Sequence, residues 1–179
     1  MVVYGYARLV GYDETFEIRP DILARVENVE NRQFTLFLRP GHRWSDGHPF
    51  TSEDFRYYWE DIANNKKLSP FGANAVLLVD GKLPTFEVVD ETTVRYTWHK
   101  PNPYFLPALA ATRPVYIFAP AHYLRDYHAS YTEDLEALNQ RAKASGKRNW
   151  ASLHNRMDSP YKNRIPNAPT LEPWINTTK

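Results

Sequence analysis

The chain has 179 residues, 42% of them hydrophobic and 15% aromatic, and contains no cysteine. At that length one domain with a real core is expected, since a folded chain of this size hides roughly 70% of the surface its unfolded form exposes. The charge is nearly balanced, 22 basic against 21 acidic residues with no long run of either sign, which excludes the electrostatic footprint of a nucleic-acid binder; the missing cysteines exclude disulfides, thiolate metal sites and a cysteine nucleophile.

No apolar run approaches the roughly 20 residues a membrane helix needs. The start, MVVYGYARLVGYDE, shows neither a basic leader nor a small-residue cleavage site, so the expectation is a cytoplasmic protein or a mature or excised piece. In chain order, short strands are expected at 9–12 and 16–18. A firmer one follows at 33–39, where Phe34, Leu36 and Leu38 alternate with Thr35, Phe37 and Arg39. A helix is expected over 52–63, because Phe55, Tyr58, Trp59 and Ile62 fall at i, i+3, i+4 and i+7. Strands at 86–89 and 92–99, turning at Asp90-Glu91, read as a hairpin in which Val94, Tyr96 and Trp98 share a face. Short helical pieces are expected at 103–111 and 120–127. A longer helix at 132–145 opens at Thr132 with Glu133 and Asp134 and closes at Gly146 beside Lys143, Lys147 and Arg148, charges that suit the two helix ends. From Asn149 onward Pro160, Pro166, Pro169 and Pro173 interrupt the chain. The reading is therefore a domain over 1–148 and an irregular, Pro-rich tail over 149–179, anchored by Trp150, Leu153 and Trp174. The fold class is α+β, with a small, mainly antiparallel sheet and packed helices.

One stretch draws a functional question. RWSDGHPFTSEDF, from Arg43 to Phe55, gathers a tryptophan, a histidine and three carboxylates, Asp46, Glu53 and Asp54. Turn and cap grammar accounts for it. Ser45-Asp46-Gly47 is a turn, Thr51 with Asp54 three residues on approximates a capping box, and Glu53 and Asp54 oppose the helix dipole. The alternative is a carbohydrate-active or hydrolytic domain using Asp46 with Glu53 or Asp54, although nothing local separates their pKa values as paired acid and base work needs. The six histidines, His42, His48, His99, His122, His128 and His154, show no i, i+4 metal-binding spacing, so surface or cap roles are expected and no metal or other cofactor. There is no GxSxG elbow and no phosphate-cradling glycine loop among the 7 scattered glycines. The aromatics not absorbed by helix or strand faces lie in loops: Phe71 in LSPFGAN, Tyr104 in KPNPYF and Tyr116 in RPVYIF. These three are the candidates for the wall of a ligand cleft.

The order of segments resembles the extracellular solute-binding proteins of ABC importers, family 5, the oligopeptide- and dipeptide-binding type. The run PDILARVENVENRQFTLFLRPGHRWSDGHPFTSEDFRYYWE follows that family's succession: a P-x-L-A element at Pro20 to Ala24, an irregular strand, a T-F-x-L-R-like strand at Phe34 to Arg39, and W-x-D-G-x-P-F-T at Trp44 to Asp54 before a helix. SPF, FEVVDETTVRYTW and KPNPYFLPALA then come in family order, so the resemblance covers roughly residues 9–125. It implies the additional domain of a longer, two-lobed protein with a type II periplasmic-binding-protein-like fold. It also implies a non-enzymatic, exported, periplasmic or extracellular parent that captures peptides or a related solute and delivers it to a membrane permease. The parent is expected to be a monomer. Phe71 falls where some peptide-binding relatives present an aromatic to the cleft, here without a hydroxyl. Tyr131 to Lys179 is expected to lie beyond the shared pattern.

Overall fold

The computed structural model describes residues 8–158, 165 and 168–172. Near the amino end β1 (Val10–Tyr12) and β2 (Ile18–Pro20) form a two-stranded antiparallel ribbon. The second strand starts later than alternation suggests. Asp13 Oδ1 accepts from the backbone N–H groups of Thr15 and Glu17, and Phe16 takes φ 61°, so 13–17 is a closed turn and not extended chain.

The main sheet has the order β3-β4-β6-β5, antiparallel throughout, from β3 (Leu23–Val29), β4 (Gln33–Leu38), β5 (Thr85–Asp90) and β6 (Thr93–Thr97). Strand β3 escapes a period-2 reading because it is an edge strand. Only Leu23 is buried and Val26 half-buried, and the register slips between Leu23 and Arg25. Glu30 and Asn31 join it to β4 with φ of 55° and 53°, the left-handed pair that a tight hairpin matching the strand twist requires. The β5–β6 hairpin turns at Asp90, whose Oδ1 accepts from Thr92 N at 2.8 Å.

One face of this sheet carries the larger core. Phe34, Leu36, Leu38, Val94, Tyr96 and Trp98 pack there against Trp44, Phe50, Phe55, Phe105 and Leu109. The expected helix over 52–63 is present but changes pitch: α1 (Ser52–Arg56) runs into a π-helical segment, Tyr57–Ala63. The wider winding lets one helix serve two cores. Phe55, with Tyr58 and Trp59 partly buried, faces the sheet, while Tyr57 and Ile62 face a second cluster of Leu68, Leu124, Leu138 and Trp150.

Helix α2 (Phe105–Ala110) packs Phe105, Leu109 and Ala110 into the larger core, whereas the second cluster draws on α3 (Ala121–Leu124), which is followed by 3-10 turns at Arg125–Tyr127 and Ala129–Tyr131, and on α4 (Leu135–Ala144). The cap of α4 is Asp134, whose Oδ1 accepts from Ala137 N at 2.9 Å; Thr132 instead accepts from Asp134 N and shapes the approach. The close is as expected, with Gly146 at φ 70° and Lys147 N bonded back to Ala142 O at 2.8 Å, the Schellman arrangement.

The segment expected to be irregular from Asn149 opens with a helix, α5 (Trp150–Met157). Asn149 and Ser152 cap it reciprocally, and Trp150, Ala151, Leu153 and His154 are buried. Its pattern is hard to read as amphipathic because a histidine occupies a core position and serine stands where a capping box usually has Glu or Gln. Trp150 and Leu153, the expected anchors, are buried on α5, and Trp174 lies outside the described residues. Further on, the chain returns to the first motif. Ser45 N donates to Thr170 O at 2.9 Å, Thr170 N donates to Ser45 Oγ at 3.0 Å, and Leu171 packs on the larger core.

Candidate functional site

Each carboxylate of the Arg43–Phe55 stretch is committed to a structural partner. Asp46 Oδ1 accepts from His48 N at 3.0 Å, closing the turn, and Gly47 takes the φ of 88° that the turn needs. Asp46 Oδ2 meets His122 Nε2 at 2.7 Å, and the His122 ring lies flat against His48 at 3.8 Å between centroids. Burial raises the Asp46 pKa, but the hydrogen bonds from His122 and the His48 amide outweigh it and leave the carboxyl below its ordinary value.

Asp54 is 3% exposed and accepts from Thr51 N (3.0 Å), Trp44 Nε1 (3.1 Å) and Ala121 N (3.0 Å). Burial nonetheless pushes its pKa up. Thr51 Oγ1 accepts from Glu53 N at 3.3 Å, completing the predicted cap. Glu53 pairs with Arg56 and with Arg125, and the Arg56 hydrogen bond holds its pKa down. Trp44, the residue most suggestive of a sugar platform, is buried against Phe50 and Phe118. Asp54 is thus buried, and Asp46 and Glu53 are each engaged by a histidine or by arginines, so the three carboxylates do not face one another as a free acid and base pair.

The histidines divide. His48 and His99 are exposed, and His128 does serve a cap, its Nδ1 accepting from Ser130 N at 3.1 Å, although it is buried. His154 corrects the expectation of surface or cap roles. It is fully buried in α5, with Nε2 2.9 Å from the Tyr57 hydroxyl. Desolvation, helped by His128, pushes its pKa down to about 3. Nothing local in the sequence signals this, because Tyr57 is 97 residues away. Among the described residues no three His, Cys, Asp or Glu side chains gather in a way that could hold a metal ion, and no helix is long and apolar enough to cross a membrane.

The three loop aromatics are not equivalent. Phe71 is fully exposed in a loop with Gly72 at φ 83°. Tyr104 is 72% exposed at the start of α2. Their segments are tied together: Asn102 Nδ2 donates to Val76 O at 2.8 Å and Trp98 Nε1 to Leu77 O at 2.8 Å, which fixes the 3-10 turn Ala75–Leu77 beside the lead-in to α2. Tyr116 instead is half-buried, edge-on to Phe118 at 5.6 Å between centroids. Phe71 and Tyr104 thus present flat apolar faces to solvent on a braced support, which suits non-covalent contact.

A profile of the bacterial extracellular solute-binding proteins, family 5 (middle), matches residues 17–154. The match starts later than the expected 9–125, leaving out β1, and ends later, taking in α4 and α5 as far as His154, so the expectation that the chain from Tyr131 onward lies beyond the shared pattern is corrected as far as residue 154. The periplasmic murein peptide-binding protein MppA of Escherichia coli (strain K12) is 34% identical over 110 residues, 55% of this chain and 20% of that protein. The periplasmic alpha-galactoside-binding protein of Rhizobium meliloti (strain 1021) is 32% identical over 128 residues, 65% of this chain and 18% of that protein. Among solved structures, an oligopeptide-binding protein OppA superposes with a TM-score of 0.75 at 28% identity, covering 96% of this chain and 26% of the other. The chain spans about a fifth of the length of the curated relatives it matches. With the sheet, the helical half and the tryptophan-to-helix motif all falling within the matched residues, the chain belongs to the family 5 bacterial extracellular solute-binding proteins.

Proposed function

We propose that this chain is part of the substrate-binding component of an ABC importer, working in the periplasm or outside the cell. It contributes one side of a cleft that captures a peptide or related solute without making or breaking a bond and presents it to a membrane permease. The observation that carries this reading is the family match over 17–154 on a fold that superposes on an oligopeptide-binding protein along nearly the whole chain. Phe71 and Tyr104 are the cleft-wall residues in this reading, and Tyr116 supports the wall from its half-buried position. Selectivity then comes from enclosure between lobes, where the ligand loses most of its exposed surface.

Native mass spectrometry of the full-length parent as purified tests the substrate class. A retained peptide, lost in a Phe71→Ala, Tyr104→Ala double variant whose thermal stability is unchanged, is the expected result. Retention of an oligosaccharide instead would overturn the peptide class while leaving the importer role in place, and an unchanged ligand load in the double variant would remove these two residues from the cleft.

A further inference from the structure

The tip of the β1–β2 ribbon breaks the turn chemistry that its own geometry asks for. Glu14, Thr15 and Phe16 join Asp13 to Glu17, with Phe16 N donating to Asp13 O at 3.1 Å and Asp13 N to Glu17 O at 2.9 Å. A three-residue hairpin loop of this kind ends on a left-handed position that favours glycine. Phe16 holds that position at φ 61°, where a bulky side chain is a conformational outlier. Among the described residues the other positive φ angles fall on glycines and on Glu30, Asn31 and Asp80, so Phe16 is the one apolar side chain so placed. The ring is 85% exposed, and burial within the chain therefore does not offset the strain. The tip is nonetheless braced. Asp13 Oδ1 accepts from Thr15 N at 2.9 Å, Thr15 Oγ1 at 2.8 Å and Glu17 N at 2.9 Å, Arg19 bridges Asp13 and Glu17, and Leu9 and Val10 bury the root of the ribbon in the larger core. A strained, exposed aromatic on a rigid support suits insertion into a partner's pocket, because little freedom is lost on binding.

We propose that Phe16 is a docking knob for the importer's membrane permease, entering an apolar pocket whose rim carries Lys or Arg opposite Glu14 and Glu17. Charge selects this occupant. Asp13, Glu14 and Glu17 stand against the single cation Arg19, an excess of two negative charges at the tip of a chain whose net charge is +1. Such a collar is repelled by anionic lipid headgroups and attracted to a basic protein rim. The proposal rests on the importer reading and assigns the permease contact to a residue other than Phe71, Tyr104 and Tyr116. The family profile begins at residue 17, so the knob stands just before the shared stretch, where a contact particular to one importer fits.

Binding of the full-length parent to the purified permease of the same importer in nanodiscs, followed by biolayer interferometry, tests it, beside native mass spectrometry of the retained solute. Phe16→Gly suits the left-handed position and removes the ring, so thermal stability should hold or rise while docking weakens by about tenfold or more. Phe16→Tyr keeps the ring and should dock within about twofold of the parent. Glu14→Lys should weaken docking at about 0.01 M salt and lose most of that effect at about 1 M. Solute retention should be unchanged in all three. The proposal is overturned if the parent docks and Phe16→Gly docks as tightly, or if Phe16→Gly sheds the solute, which would place the ring in the cleft. A parent that does not bind the permease at all overturns the importer reading together with the knob.

Discussion

His154 shows how a single residue couples this fold to pH. Its ring is fully buried, bonded to the Tyr57 hydroxyl at 2.9 Å and set 5.6 Å from the His128 ring, which itself lies edge-on to Trp150. Burial holds the folded pKa near 3, against 6.5 when exposed, so between those values the unfolded chain binds a proton that the folded chain refuses. Stability from this group is complete above pH 6.5 and declines as pH falls toward 3, by about 1.4 kcal/mol per pH unit. His128, also lowered by burial, adds in the same direction. Asp54 acts oppositely, since its raised pKa lets the folded state take a proton before the unfolded one does, in a window that opens upward from 3.8. Urea denaturation is expected to show a loss of about 2 kcal/mol for His154 alone between pH 7 and pH 5, and His154→Gln should flatten that slope. A slope unchanged by the substitution would falsify the assignment.

Between elements, the Asp54 carboxylate is the joint. It receives Trp44 Nε1 from the turn, Thr51 N from the cap of α1 and Ala121 N from α3, and its own backbone oxygen receives Ala119 N at 3.1 Å. Asp54→Ala leaves three donors without an acceptor, two of them buried, and a loss of about 2–4 kcal/mol is expected. Glu53→Ala removes contacts to Arg56 and Arg125 that stay half open to water, and should cost no more than about 1 kcal/mol. Equal losses for the two variants in urea denaturation would mean that the Asp54 contacts do not tie the elements. The capping part of this joint was legible, because Thr51 and Asp54 are three residues apart and the backbone places them together. The Ala121 contact was not, since 67 residues separate the partners. The same distinction explains the helices. The 52–63 periodicity announced its helix but not the π-helical turn that rotates Tyr57 into the second core, and α5 stayed hidden because its buried face includes a histidine whose partner lies on another element.

For the whole molecule, the chain presents Phe71 and Tyr104 on an open surface and encloses nothing around them among its described residues. In the proposed role of one cleft wall it cannot exclude water from a solute, so calorimetry on the isolated chain is expected to detect no tight binding of whatever peptide the full-length parent is found to retain; sub-micromolar affinity in the isolated chain would contradict the two-sided proposal. The α+β class, the Phe34–Leu36–Leu38 and Val94–Tyr96–Trp98 faces, the turn and cap of the Trp44–Asp54 motif and the family membership were all determined by the sequence, because alternation, helical spacing and capping act over a few residues and leave a local record. Only the tertiary structure decided which aromatics stay exposed, that Asp46 and Asp54 serve His122 and Ala121, and that His154 is buried. Those outcomes depend on which distant segments pack together, and packing joins residues whose separation along the chain carries no periodic signal.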